Sequence, residues 1–343
     1  MGVYYCGIDL HAKVSQVAVL DEAGRVLLNR RVSNHLEEVL GVLAPYGPGI
    51  HIAIESTFNW YWLVDGLQDA GHDVHLGHPL RLAMISKAKV KTDRRDAVIL
   101  ARLLRSGDFP EAYIYPRETR PVRDLVRQRT RVVALRAREY AALRLRLYRH
   151  GFLEHSANWA KRVTEEELAA MFEHAAIRPL IRHELARIRL LSEQITELEQ
   201  AIAAFAQTTP DYEHLRTLPG TGLALAPVIL YESGQISRFT SCRHYISYSR
   251  VIPGCAESAG KVRAGRGKKQ GNRHLKAAFT QAAVHAIRTN ETVRRLYERL
   301  KQRHPGRGSV PIAINVIAHK LAQAAYHILK EGTVYQERLL FGN

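Results

Sequence analysis

Residues 91–105 read KTDRRDAVILARLLR. Asp93 and Asp96 stand three apart, immediately before an apolar run with helical spacing. Side chains three apart share one face of a helix, so a helix over 93–105 projects both carboxylates from its first turn. Two readings fit them. Acids in a first turn complement the helix dipole, with Thr92 as N-cap. Alternatively, they are half of an acidic constellation completed by carboxylates elsewhere in the chain.

The upstream sequence supplies such carboxylates. Residues 3–8 (VYYCGI), 14–20 (VSQVAVL) and 25–32 (RVLLNRRV) predict three short strands, with DEAG at 21–24 as a hairpin turn. HLEEVLGVLA has helical spacing, and HIAIES (51–56) reads as a buried strand. WYWLVDGLQDAG reads as a helix closed by Gly71, and DVHLGHP as a strand stopped by Pro79. Strands first, then alternating helix and strand, predict a mixed sheet flanked by helices. Asp9 closes the first strand and Glu55 the fourth. A carboxylate at the end of an apolar strand costs stability unless something binds it. Taken singly, Asp9 has His11 or Lys13 as a partner, and Glu55 can cap the helix after Thr57. Taken together with Asp93 and Asp96, the order of strand end, strand end and helix is that of a ribonuclease H-like nuclease core. Four converging carboxylates repel one another, which hard divalent Mg²⁺ relieves. Two such ions suit phosphoryl transfer.

The chain has 343 residues, with 50 Lys and Arg against 33 acids and a formal charge of +17. That length favours two or three domains. The charge points to a polyanion, with nucleic acid ahead of an acidic membrane surface. No apolar run approaches the roughly 20 residues that span a bilayer, and the opening MGVYYCGIDLH lacks a secretory pattern. The three cysteines offer neither a disulfide framework nor a zinc pattern. A cytoplasmic protein without a membrane partner is expected.

Residues 117–149 hold eleven arginines and no lysine, opposed by Glu118, Asp124 and Glu139. Val126, Val133, Ala137, Tyr140, Leu143 and Leu147 form an apolar stripe. Leu185, Ile188, Leu191, Ile195, Leu198, Ile202 and Phe205 form a coiled-coil-like seam. These predict an antiparallel helical hairpin, whose seam fits packing within the chain or pairing between protomers. LRTLPGTGLALAPVIL (215–230) has the shape of a helix-hairpin-helix, whose backbone N–H groups can bind phosphate. Residues 250–276, RVIPGCAESAGKVRAGRGKKQGNRHLK, are basic and glycine-rich from Lys261 onward. Lys261, Arg263, Arg266, Lys268, Lys269 and Arg273 read as phosphate contacts, the alternative being a solvated loop.

GIDLHAKVSQVAVLDEAG, IAIESTFNWYWLVDGLQDAGHDVHLGHP, KAKVKTDRRDAVILARLLRSGDFPEAY and LPGTGLALAPVILYESGQISRF together resemble the insertion-sequence-110 family of DEDD transposases. The resemblance runs across nearly the whole chain, and KTDRRDA is its most specific motif. It implies a RuvC-like domain whose four acids fall on Asp9, Glu55, Asp93 and Asp96, binding Mg²⁺. It also implies a nucleophilic serine at Ser258, followed by Ala259-Gly260-Lys261 and then Gly271-Asn272-Arg273. The family commonly doubles this serine, whereas Glu257 precedes it here, and Ser249-Arg250 stand where the family has smaller residues. The expected architecture is α/β plus all-α. A RuvC/ribonuclease H-like domain covers 1–115, a helical coiled-coil hairpin 116–208, and a C-terminal transposase domain with helix-hairpin-helix 209–343. The expected activity is Mg²⁺-dependent recombination of donor and target DNA through a serine-DNA intermediate. The resemblance further implies a structured noncoding RNA partner and a homo-oligomer, dimer or tetramer. Two other readings stand beside it: a Holliday-junction resolvase-like hydrolytic nuclease with the same acids, and a nucleic-acid-binding protein without chemistry.

Overall fold

The computed structural model describes residues 2–85, 92–152, 157–172, 174–252, 255–258, 261–264, 270–303, 305–306 and 308–338. The chain forms two compact units, Met1–Arg117 and Glu118–Asn343.

The first unit is a mixed five-stranded sheet covered by helices. β1 (Tyr4–Leu10), β2 (Val14–Asp21) and β3 (Val26–Ser33) form an antiparallel meander. The chain then passes through α1 (Leu36–Leu43) to β4 (His51–Glu55), and through α2 (Tyr61–Asp69) to β5 (Asp73–Gly77). β4 runs parallel to β1, and β5 parallel to β4, giving the order β3-β2-β1-β4-β5. α3 (Pro79–Ile85) and α4 (Asp93–Ser106) complete the unit. Apart from α3, which the sequence reading lacks, these elements follow it to within about two residues. Side chains alternate across a sheet. Cys6, Ile8, Val17, Val19, Ile52, Ile54, Val74 and Leu76 therefore point one way, onto Val39, Leu43, Leu63 and Leu67 of α1 and α2. The opposite face carries Ala53, packed with Leu82, Leu100 and Phe109.

α4 lies on that second face at backbone contact. A Cβ on Gly7, in the middle of β1, would fall 1.9 Å from the Ala97 carbonyl oxygen and 2.7 Å from the Ala101 nitrogen. Only glycine permits this approach. The helix ends at Gly107, whose φ of 77° is left-handed and whose N–H donates to the carbonyls of Leu103 and Leu104.

The second unit is helical. α5 (Arg120–Arg149) is followed by α6 (Ala157–Arg162), α7 (Glu165–Met171) and α8 (Ile177–Ala206). α5 and α8 pack along one another. Leu143 and Leu147 of α5 join Ile181, Leu185 and Ile188 of α8 under Leu168 and Phe172. The apolar seam on α8 thus packs within the chain, and its line differs from a strict heptad. Leu185, Ile188, Ile195 and Ile202 are buried, but Ala206 is buried in place of Phe205, which is 53% exposed. A straight helix drifts by about 20° per heptad, so a seam of fixed period walks off the contact line. On α5 the same drift buries Val132 and leaves Ala137 exposed.

α9 (Pro210–Arg216), α10 (Gly222–Ser233), α11 (Cys242–Tyr248), the antiparallel pair β6 (Cys255–Ser258) and β7 (Lys261–Ala264), α12 (Arg273–Thr289), α13 (Glu291–Arg303) and α14 (Ser309–Glu331) follow. Tyr245, Phe279, Ile317, Leu321 and a row of alanines on α12 and α14 form their core. The turn between α9 and α10 has a packing reason for its first glycine. Gly220 has φ 78°, and a Cβ there would sit 2.1 Å from the Ala282 carbonyl of α12. Among the described residues, no helix is long and apolar enough to cross a membrane.

One buried charge organises this unit. The Glu232 side chain is fully buried at the end of α10. It accepts from Arg123 at 3.1 Å, from both Nε and Nη2 of Arg127, and from Asn272 Nδ2 at 2.7 Å. Burial alone would push its pKa up. The Arg127 hydrogen bond, the charges of Arg123 and Arg127, and Asn272 outweigh that and hold it below the usual glutamate value. Removing one partner of a buried pair strands the other, at a cost of about 3–5 kcal/mol. Glu232→Gln should lower the stability of the second unit by about that much at neutral pH, read from urea unfolding at unchanged m-value. Because the folded pKa is depressed, Glu232 stabilises above its unfolded value, and the gap from parent to variant should close as pH falls through the folded one.

Candidate active site

Asp9 is 8% exposed and ends β1 opposite Gln16. β4 is in parallel register with β1, pairing Ile8 with Ile54, so Glu55 ends beside Asp9. Asp93 and Asp96 occupy the first turn of α4, which the Gly7 contact presses onto β1. His11 Nε2 lies 3.2 Å from Asp9 Oδ2 and 3.5 Å from Asp93 Oδ1. The pKa of Asp9 is raised, first by burial and then by the negative charges of Asp96, Asp93 and Glu55, against the opposing charge of His11. All four acids singled out in the sequence therefore meet at one end of the sheet.

Side-chain amides hold this end together. Asn29 on β3 donates to the Arg94 carbonyl in the first turn of α4, and takes a hydrogen bond from Gln16. Asn34 and Asn59 both donate to the His11 carbonyl, at 2.8 and 2.9 Å. Asn59 belongs to the loop leaving β4, so this bond draws that loop to the β1–β2 turn. The helix-capping alternatives are weak. Thr92 stands at the N-cap of α4 without a side-chain cap bond, and α2 has Trp60 at its N-cap rather than an acid-capped start. Donor atoms of Asp9, His11 and Asp93 lie within 4.8 Å of one another. A carboxylate-rich set whose negative charges together raise the pKa of Asp9 fits a hard divalent cation. Gln16, Asn29, Asn34 and Asn59 were not legible as site residues, because single amides in strands and loops carry no pattern of their own. The His11 in IDLH was visible as a partner of Asp9, but not as a bridge to Asp93.

The second unit carries the other expected site residues. Ser258 ends β6, in register with Lys261 of β7, and Arg263 pairs with Ala256. Arg266, Lys268 and Lys269 lie outside the described residues. Arg273 is exposed at the start of α12. The base of the hairpin is pinned to α11. Asn272 N–H donates to the Tyr248 carbonyl at 2.6 Å, and Gly271, at φ 92°, packs against the same carbonyl. Arg250, leaving α11, has a φ of 56°. The Asn272 side chain caps α12 by accepting from the N–H groups of His274 and Leu275, while its amide reaches Glu232.

The arginine-rich stretch is less free than its composition suggests. Arg117 pairs with Asp65 and Asp69, Arg123 and Arg127 with Glu232, Arg129 with Glu199, and Arg146 with Glu184. Arg136 donates to Ser192. Arg131, Arg138, Arg144 and Arg149 are exposed.

Residues 6–150 match a transposase family model of the DEDD IS110 type, and residues 212–298 match the model described as Transposase IS116/IS110/IS902 family. The chain belongs to the IS110 family of transposases. It is similar to the y4qE protein of Sinorhizobium fredii, 26% identical over 236 residues, 68% of this chain and 58% of that protein. The pilin gene-inverting protein of Moraxella bovis is 24% identical over 306 residues, 84% of this chain and 83% of that one. The transposase for insertion sequence element IS1111A of Coxiella burnetii is 25% identical over 289 residues, 82% of this chain and 77% of that one. In this IS110-family chain the first matched region contains all four converging acids, and the second contains Ser258 and its basic neighbours.

Two measurements check the geometry. Gly7→Ala should cost about 1–3 kcal/mol through overpacking and displace α4, so that a rise in melting temperature with divalent ions, expected for the parent, is lost in the variant. Asp9→Asn tests the electrostatics. A carboxyl whose folded pKa is raised is favourable below its ordinary value of 3.8 and loses that stability as pH rises through the folded value. Asp9→Asn should therefore melt above the metal-free parent at pH 7, and the two should converge in acid, by calorimetry.

Proposed function

We propose that this chain is a DNA recombinase that breaks and rejoins strands at a metal-assisted centre, with a RuvC-like first unit and Ser258 as nucleophile. The observation that carries the reading is the convergence of Asp9, Glu55, Asp93 and Asp96 on the β3-β2-β1-β4-β5 sheet, felt electrostatically at Asp9. Those four acids would hold Mg²⁺, which when bound supplies positive charge against the phosphate oxygens. The acids position it, and Gly7 fixes the distance between their two supporting elements. His11 is placed to take a proton beside Asp9 and Asp93.

Transposition and gene inversion, the activities in the names of the relatives, both require cut strands to be rejoined. The sequence carries no Gly-x-x-x-x-Gly-Lys-Ser/Thr nucleotide motif. A phosphoserine ester answers the energetic problem. The Ser258 Oγ attacks phosphorus, its proton leaves to a base, the P–O bond to the leaving oxygen breaks, and that oxygen takes up a proton. Rejoining reverses each step, so the phosphodiester energy is conserved. A serine hydroxyl needs activation, and Lys261 and Arg263 are the nearest cations in sequence to steady the transferring phosphoryl group. On this reading residues 1–115 carry the acids, 116–208 the helical hairpin, and 209–343 the helix-hairpin-helix and the serine. The family resemblance supports a structured RNA partner made from the element itself and a homo-oligomer, and the exposed arginines of α5 suit RNA and DNA phosphates alike.

The test uses the full chain, labelled DNA carrying the ends of its own element, any RNA that co-purifies, and Mg²⁺. A covalent protein–DNA band should appear on a denaturing gel and vanish in Ser258→Ala and in Asp93→Asn, while both variants still bind DNA. Recombination at parental rate in Ser258→Ala would overturn the covalent step, and cleavage by Asp93→Asn would overturn the acidic centre.

A further inference from the structure

The sheet face beneath α4 has two polar ends. Residues two apart on a strand share a face, so Tyr5, Gly7 and Asp9 of β1 align with His51, Ala53 and Glu55 of β4 and with Asp73, His75 and Gly77 of β5. α4 covers the middle, at Gly7 and Leu100 over Ala53. One end holds the acids. The other, four residues and so about 13 Å away along the strands, holds a different set of donors.

There Asp73 Oδ2 lies 2.6 Å from His51 Nδ1 and 2.9 Å from His75 Nε2. His75 Nδ1 lies 2.7 Å from Glu111 Oε1. The main chain delivers Glu111, through a bridge to Gly77 and the bond from Ala112 N–H to the Leu76 carbonyl. The Tyr5 ring stacks on His51 at 5.4 Å and 21°, which fixes that imidazole from beside. Donor atoms of His51, Asp73 and His75 lie within 4.8 Å of one another.

One carboxylate oxygen faces two imidazole nitrogens, and each gap must hold a proton or share a cation. Glu111 settles the state of His75. By accepting from Nδ1–H it keeps that nitrogen engaged, so that a cation taking the place of the proton between Nε2 and Asp73 meets the Nε2 lone pair, the carboxylate–histidine arrangement found behind metal ligands. We propose that His51 Nδ1, Asp73 Oδ2 and His75 Nε2 bind one borderline divalent transition-metal ion of the Zn²⁺ type, with Glu111 orienting His75. Two imidazoles and a carboxylate suit such an ion, whereas Mg²⁺ takes oxygen ligands. Zn²⁺ sits about 2.0–2.2 Å from nitrogen and oxygen donors, so tetrahedral donors stand about 3.3 Å apart, and small side-chain rotations open the present gaps to that spacing. The remaining position faces solvent, since Asp73 is about half exposed. The ion ties β4 to β5, and through Glu111 to the segment after α4.

The experiment takes the full chain, stripped with chelator, and titrates Zn²⁺ against a chromophoric chelator in the presence of excess Mg²⁺. One Zn²⁺ per chain should bind, raise the melting temperature, and persist in the double variant Asp9→Asn, Asp93→Asn. It should vanish in His51→Ala and in His75→Ala. Glu111→Gln leaves all three ligands in place and should weaken binding by about 10–100-fold, which keeps the test decisive should a histidine variant fold poorly. No Zn²⁺ bound, a site unchanged in these variants, or a site lost only with Asp9 and Asp93 would each overturn the proposal.

Discussion

The contact of α4 with the backbone of β1 at Gly7 sets the geometry of the first unit. A helix that rests on side chains can slide or rock by an ångström without much cost. A helix whose Ala97 carbonyl would lie 1.9 Å from a Cβ on the strand has no such freedom. It also stands closer to the sheet than any side chain allows. Asp93 and Asp96 are carried by the turn just before this contact, so their distance from Asp9 follows from one missing methyl group. The hydrogen bond from the Asn29 side chain to the Arg94 carbonyl then limits rotation of α4 about that contact, and the one from Asn59 to the His11 carbonyl joins the loop after β4 to the β1–β2 turn. Close packing supplies the approach and hydrogen bonds the orientation, and the acids, which repel one another, supply neither.

In the second unit the organising interaction is electrostatic. Glu232 joins α10, α5 and the cap of α12 through Arg123, Arg127 and Asn272. Asn272 belongs to three arrangements at once: it caps α12, reaches the buried carboxylate, and anchors its N–H to α11 through Tyr248. The strands bearing Ser258 and Lys261 leave from α11 and return at this residue. A buried ion pair contributes little net stability relative to an apolar core, but it specifies geometry, because no other arrangement satisfies the charges.

The strands and helices of the first unit were legible because alternation and helical spacing are local. The four acids were legible because each sits where an apolar element ends, and their order along the chain carries the topology. Gly7 was not, since GID reads as an ordinary strand end and the helix it touches comes 90 residues later. The partners of the α5 arginines were not legible for the same reason. Composition counts charges, whereas Glu184, Glu199 and Glu232, which neutralise several of them, lie far along the chain. The seam on α8 was read with the right helix and face, but a fixed period cannot follow a straight helix, so its last member was misplaced by one residue.

A basic chain that gathers four carboxylates at one sheet end separates affinity from chemistry. Phosphates are repelled by the acids, so no binding energy comes from that end until a cation is there. On the proposed function attraction comes from elsewhere: from the exposed Arg131, Arg138, Arg144 and Arg149 on α5, from Arg273, and from the basic run after Lys261. Those contacts release counterions and weaken steeply with salt. On that reading the acidic end responds instead to divalent ions, and the charge of its neighbours already raises the pKa of Asp9. On the proposed function, a nucleic acid is held by one set of charges, while the acidic set acts on its strands only once a divalent ion is there.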